Sequence, residues 1–314
     1  MLGMMPAFLV LSNYFLEPKI SMDKGSLANS SLVIIQGNLP INVVRSDQDL
    51  WPYAKQTYFD NIAHLHFKPD TLLVLPEEGI IPGWVNVEYP EGNLYFRMLS
   101  ELAAKKKIHI MTGVLAYKTL PADGRATYNA IALIEPSGKP AQFYFKRDLV
   151  PFGETVPFFD LHWLTAQLKK VGVDFDPSFQ AGGEQPAMTM TAADGQYASV
   201  GALSCFELIK PELARHYRQA GTGPMLLVNT SNLGWFHGHE WLAHRRLERL
   251  MQQQFLAIGQ MRAAENRSFL IIAANTGISA IISPGGDVLA RSDRDGQPLP
   301  GGATLLMLGD QPKK

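Results

Sequence analysis

The chain has a single cysteine, Cys205. A lone thiol rules out an intrachain disulfide, and it leaves the redox compartment open, since a secreted protein without staples reads the same way. Charge of one sign is missing too: the formal net charge is -1, and no Lys/Arg stripe interleaves with aromatics, which sets nucleic-acid binding aside. No unbroken run of about 20 apolar residues is present. The nearest approach, Met1 to Leu16, is uncharged but interrupted by Pro6 and Asn13, and it lacks the basic start and small-residue cleavage site of a signal peptide. Internal repeats and low-complexity blocks are also absent.

What remains is a chain of 314 residues, 46% hydrophobic and 18% charged, enough to bury a large core in one elaborate domain. Residues 1–30 are expected to form an apolar N-terminal arm, or the remnant of a membrane segment, followed by a polar linker. Residues 31–314 are expected to form the main domain. Apolar runs of strand length occur at 31–35, 71–75, 108–117, 128–134, 142–146, 187–191, 197–204, 225–229, 269–274, 278–283 and 303–308. Helical spacing recurs at 49–66, 93–107, 211–220 and 240–265. Strands alternating with amphipathic helices, together with hairpins, predict α/β layering with sheets covered by helices.

In layered α/β proteins, reactive groups gather where strands end. Three strand ends carry useful chemistry: Glu77 or Glu78 after Leu72–Leu75, Lys146 after Phe143–Phe145, and Cys205 after Val200–Ser204. A carboxylate in a desolvated pocket can take a thiol's proton, and a nearby ammonium can stabilise the oxyanion of a tetrahedral intermediate. Together these three groups make an acyl-transfer set. The histidines fit a metal site poorly. His239 and His244 are five apart, where a zinc-protease helix needs four, so they fall on different faces. Arg262 and Glu265 read as a structural ion pair on the long helix.

The stretches Pro76-Glu77, Tyr144-Phe145-Lys146-Arg147-Asp148-Leu149-Val150-Pro151-Phe152-Gly153-Glu154-Thr155-Val156-Pro157 and Ser204-Cys205-Phe206-Glu207 resemble the three catalytic motifs of the carbon-nitrogen hydrolase (nitrilase) superfamily. The second is similar to the signature of its bacterial apolipoprotein N-acyltransferase branch. Tyr128-Asn129-Ala130, Ser231-Asn232 with Trp235-Phe236, and Ala274-Asn275-Thr276-Gly277 add to the likeness.

The resemblance implies a four-layer α-β-β-α sandwich and a Glu77/Lys146/Cys205 triad acting as base, oxyanion stabiliser and nucleophile. Glu78, Glu154, Phe206, Glu207, Asn232 and Trp235 are implied as supporting or substrate-binding residues, with no cofactor and no metal. It further implies ping-pong transfer through a thioester. The donor is a phospholipid and the acceptor the N-terminal amine of a lipoprotein, at the periplasmic face of a bacterial inner membrane. The other branch outcome is a cytoplasmic amidase that uses a small amide and water. Pairing through helices beside the nucleophile strand implies a homodimer. Two positions depart from the branch pattern: Phe206 stands where tyrosine is usual, and Leu233 where an acid is usual.

Overall fold

The computed structural model describes residues 32–39, 47–77, 81–121, 124–137, 141–151, 153–155, 179–191, 197–220, 225–236 and 245–308. Two sheets lie face to face between helices. The first has the order β13 (Gln297–Pro298), β14 (Thr304–Leu308), β1 (Leu32–Gln36), β2 (Leu72–Val74), β4 (His109–Thr119), β5 (Arg125–Ile134), β6 (Gln142–Phe145), with β3 (Val85–Asn86) on the end of β4. The second has the order β12 (Val288–Arg291), β11 (Ala280–Ile282), β10 (Phe269–Ala274), β9 (Met225–Ser231), β8 (Tyr197–Ser204), β7 (Met188–Thr191).

Alternation along the strands explains the layers. In β1, Leu32 and Ile34 join the core shared with the second sheet, whereas Val33 and Ile35 face the opposite way. That outer face is covered by α1 (Asp47–Ala54), α2 (Asp60–His64) and α3 (Leu94–Lys106), through Leu50, Ile62, Phe96 and Leu99, and by Tyr58 between α1 and α2. A π-turn over Lys55–Phe59 joins α1 to α2. The second sheet is covered by α4 (Pro211–Ala220) and α5 (Arg245–Asn266), through Leu213, Tyr217, Leu256 and Ala263. This is the α-β-β-α sandwich expected from the sequence.

Strand direction decides where the chemistry collects. Strands β1, β2 and β4 run parallel, and β6 is restored to that direction by two antiparallel steps through β5. In the second sheet β8, β9 and β10 run parallel. The residues after β2, β6, β8, β9 and β10 therefore emerge in one crevice.

Most expected elements are present. Strand β5 begins at Arg125 rather than at 128, because the hairpin ladder carries its polar start out to Thr119 opposite Arg125. Strands β3, β12 and β13 are two to four residues long, too short for periodicity to mark. The expected start of the long helix at 240, the three histidines His237, His239 and His244, and residues 1–30 lie outside the described residues.

Close packing of α4 on β8 depends on Gly201: a Cβ there would sit 2.7 Å from the Tyr217 ring. Gly201→Val is expected to cost about 1–3 kcal/mol in urea unfolding through overpacking. Gly183→Ala, with nothing within 4 Å of the added carbon, is expected to stay within about 0.5 kcal/mol.

Candidate active site

Glu77 leaves the end of β2 and is buried at 5% exposure, Lys146 leaves β6 at 1%, and Cys205 is half-buried at the end of β8. The three meet in the crevice. Lys146 Nζ lies 3.3 Å from Glu77 Oε1 and 2.8 Å from Glu154 Oε1. Two of the ammonium's three N–H groups are thereby used among the described residues, leaving one for another acceptor. The Cys205 thiol faces the Glu77 carboxylate and the Asn232 backbone amide.

Backbone geometry helps present the sulfur. Cys205 has φ 47°, a left-handed value uncommon for a residue with a side chain. The chain turns there directly from β8 into a short 3₁₀ helix, Cys205–Ile209, which is closed by a capping box. Within that box Glu207 Oε2 accepts from the Ser204 amide at 2.7 Å. Glu207 Oε1 accepts from the amides of Arg147 (2.7 Å) and Asp148 (3.1 Å), and Tyr144 Oη donates to the carboxylate at 2.9 Å. One buried carboxylate thus ties the loop after Lys146 to the loop that carries Cys205.

Glu77 is fixed by four donors. Oε1 accepts from Asn129 Nδ2 (2.8 Å), Ser204 Oγ (2.8 Å) and Lys146 Nζ (3.3 Å), and Oε2 accepts from the Asn232 amide (3.1 Å). Asn129 Nδ2 also reaches Glu154 Oε1 at 2.9 Å, and Glu154 Oε2 accepts from the Val150 amide at 2.8 Å. Asn232 is in turn held by Asn275, whose Nδ2 donates to Asn232 Oδ1 at 3.2 Å and to the Leu39 carbonyl at 2.8 Å.

Burial pushes the Glu77 carboxyl upward, but the Lys146 ammonium and the Asn129 and Ser204 hydrogen bonds outweigh it, so its pKa falls below the usual 4.5. Ionised Glu77 therefore contributes stability above that usual value, which is lost as pH falls through the lower folded-state value. Burial opposes the Lys146 charge, yet Glu77, Cys205 and Glu154 together raise its pKa above the ordinary range. For Cys205, burial and then the Glu77 charge push the thiol well up, against a weaker pull from Lys146. At neutral pH the site thus rests as carboxylate, ammonium and neutral thiol. Burial also lifts the Glu207 carboxyl, although three backbone amides and Tyr144 pull it down.

A cavity of about 620 Å³ opens onto this cluster. Glu77, Lys146, Glu154, Cys205 and Asn232 line its polar end, and Val150, Phe179, Phe206, Ile209, Leu233, Met251, Phe255 and Ile258 make most of the rest. Phe206 is half-buried in its wall. Trp235 falls in the 3₁₀ turn Leu233–Phe236, with its side chain outside the described residues. Glu78 lies outside them as well, whereas Glu77 is in the cluster. Ser204 and Asn275 stood in the quoted motifs without a role, as did Asn129, and only their contacts reveal one. Arg262 and Glu265 do pair on α5, away from the thiol. Among the described residues, no group of three or more His, Cys, Asp or Glu side chains is placed to hold a metal ion.

Removing the cation is the sharpest test of this electrostatic arrangement. Lys146→Met is expected to destabilise the fold by about 3–5 kcal/mol in denaturant titration, because Glu77 and Glu154 then share a buried site uncompensated. Adding Glu154→Gln should recover part of that loss. Additive losses in the double variant would contradict the arrangement.

The family model for carbon-nitrogen hydrolase matches residues 68–297. An apolipoprotein N-acyltransferase of Geobacter metallireducens is 33% identical over 222 residues, covering 70% of this chain and 37% of that protein. One from Methylococcus capsulatus is 26% identical over 292 residues, covering 90% of this chain and 51% of that protein. The chain thus spans about a third to a half of the length of these curated relatives. Among solved structures, a carbon-nitrogen hydrolase from Helicobacter pylori superposes with a TM-score of 0.56 at 17% identity, covering 88% of this chain and 87% of that one, a likeness of fold. The two-sheet sandwich and the matched span agree: this chain belongs to the carbon-nitrogen hydrolase family of enzymes.

Proposed function

We propose that the protein transfers an acyl group through a Cys205 thioester, with Glu77 as general base and Lys146 as oxyanion stabiliser. The donor is a phospholipid and the acceptor the α-amine of a lipoprotein N-terminus. The observation supporting this reading is that Glu77, Lys146 and Cys205 share one end of a cavity whose remaining wall is mostly apolar. A small polar amide would not need such a wall, whereas an acyl chain gains about 25 cal/mol for each Å² it buries there.

In the first step Glu77 takes the thiol proton as sulfur attacks the ester carbonyl, so the thiolate forms only as it reacts. The remaining Lys146 N–H and the Phe206 amide receive the developing oxyanion. Collapse expels the lysolipid alkoxide, which regains the proton from Glu77, and leaves the thioester. The acceptor amine then attacks that carbonyl and gives up a proton to Glu77. Sulfur departs as thiolate, takes the proton back, and an amide is formed. Glu154 and Asn129 hold Lys146 and Glu77 at their working distance, and Glu207 holds the nucleophile loop.

This reading sets the reaction at the periplasmic face of a bacterial inner membrane, with residues 1–30 as arm or membrane-segment remnant and 31–314 as the catalytic domain. Among the described residues no helix is long and apolar enough to cross a membrane. In the other reading, a cytoplasmic amidase, water replaces the amine at the second step.

Intact-protein mass after incubation with phospholipid is expected to rise by one acyl group, and Cys205→Ala is expected to show no gain. A gain from simple amides but not from phospholipid would favour the amidase. The pH profile follows from the shifts above. Because the base titrates below 4.5 and the thiol and ammonium titrate above their ordinary ranges, kcat/KM for the acyl donor, which does not depend on the acceptor amine, should be flat from about pH 6 to about pH 9. A limb centred near neutrality would contradict Glu77 as the base.

A further inference from the structure

The Glu77 carboxylate is held unevenly. Among the described residues its Oε1 takes three donors, Asn129 Nδ2 at 2.8 Å, Ser204 Oγ at 2.8 Å and Lys146 Nζ at 3.3 Å, whereas Oε2 takes only the Asn232 amide at 3.1 Å. An ionised carboxylate accepts at about four lone-pair sites, shared equally by its two oxygens. Oε1 is therefore full, and Oε2 keeps a site open. The Asn232 amide faces the Cys205 sulfur as well, so Oε2 is the oxygen beside the thiol. A proton leaving sulfur finds its acceptor there.

Of the donors on Oε1, Ser204 differs from the other two. Asn129 lies in β5 and Lys146 follows β6, both in the sheet that carries Glu77, and both also donate to Glu154. Ser204 ends β8 in the second sheet and is fully buried. An ionised carboxylate has no proton to give, so the hydroxyl is the donor in this contact. The Ser204 amide is fixed in turn by Glu207 Oε2 at 2.7 Å. Because Ser204 directly precedes Cys205, the residue that grips the carboxylate also leads the chain into the thiol. Together with the Asn232 amide it sets, from one sheet to the other, how Oε2 stands toward sulfur.

We propose that Oε2 of Glu77 is the atom that takes the thiol proton, and that Ser204 is the positioning residue that presents it, by filling Oε1 and holding the carboxylate against the segment that bears Cys205. The assignment rests on the acyl-transfer reading and adds to it the accepting atom and the side chain that directs it. In that step the S–H bond breaks and its proton passes to Oε2. The S–H electron pair forms the S–C bond, and the carbonyl π pair moves onto oxygen. Collapse of the intermediate breaks the C–O bond to the leaving alkoxide, which receives the proton back from Oε2.

The pH profile of acylation tests the assignment. Burial pushes the Glu77 carboxyl up, and Lys146, Asn129 and Ser204 pull it below its usual value. Among the described residues the titratable groups facing it are Lys146 and Cys205, and Glu154 shares Lys146 with it. Loss of the Ser204 donor weakens the ionised form alone, so the base titrates higher without it. With a p-nitrophenyl ester as donor, the burst of p-nitrophenol reports acylation across the acid and neutral range. Ser204→Ala is expected to lower kcat/KM for the donor about tenfold on the plateau through loss of alignment, and to move the acid limb up by about one pH unit. Ser204→Thr keeps the hydroxyl and is expected to hold the limb at its wild-type position, whatever its plateau. A limb unmoved in Ser204→Ala would overturn the assignment, since a merely structural loss lowers the plateau and leaves the limb in place. So would a limb that moves equally in both variants. A wild-type protein that gives no burst would overturn the acyl-transfer reading itself, and the role of Ser204 with it.

Discussion

The structure turns on placing two carboxylates around one ammonium in a site nearly closed to water. Desolvating three charges costs several kcal/mol each, and mutual attraction offsets that only when geometry and hydrogen bonding are complete. Here Asn129, Ser204 and the Asn232 amide supply the remaining bonds to Glu77, and Asn129 and the Val150 amide supply those to Glu154. The cluster is poor value as a source of stability, since apolar packing of the same volume would do as well. Its effect is chemical: it keeps the Glu77 carboxylate ionised and the Lys146 ammonium charged beside a neutral Cys205 thiol.

The cluster also explains why the two sheets must be held in register at one end. Glu77 and Lys146 come from the first sheet, and Cys205 and Asn232 from the second. Apolar packing between sheets is non-directional and tolerates small slips. Polar contacts that cross from sheet to sheet remove that freedom: Ser204 to Glu77, Tyr144 to Glu207, Ser279 to Gln36 at 2.7 Å, and Asn275 to Leu39. Each lies at the carboxyl ends of the parallel strands, so the same end of the sandwich that holds the charged cluster also holds the two sheets together.

Much of this was legible in the amino-acid order. Period-2 and period-3.6 patterns locate the long strands and helices, and an abrupt end to an apolar run marks the positions of Glu77, Lys146 and Cys205. What the order could not reveal is contact between side chains far apart in the chain. Asn129 sits 52 residues from Glu77 in the middle of a strand, where an amide reads as an ordinary polar position. Ser204 reads as the last small residue before the cysteine, and Asn275 as a turn residue. The edge strands β3, β12 and β13 escape for a different reason: their pairing, rather than their own composition, makes them strands.

The cavity joins these features. Its lining comes from both halves of the sandwich, with Val150 and Glu154 on the loop after β6 and Met251 and Phe255 on α5. A substrate that fills it must therefore contact both halves of the sandwich. The account's central claim is that Glu77 rests as a carboxylate and removes the thiol proton only at the moment of attack. It is tested most directly by the rate at which iodoacetamide alkylates Cys205 in the wild type and in Glu77→Gln at neutral pH. The account predicts that alkylation slows by about 100-fold in the variant, the lower range for loss of a positioned base; equal rates, or the faster rate expected of a thiol merely relieved of a neighbouring negative charge, would contradict it.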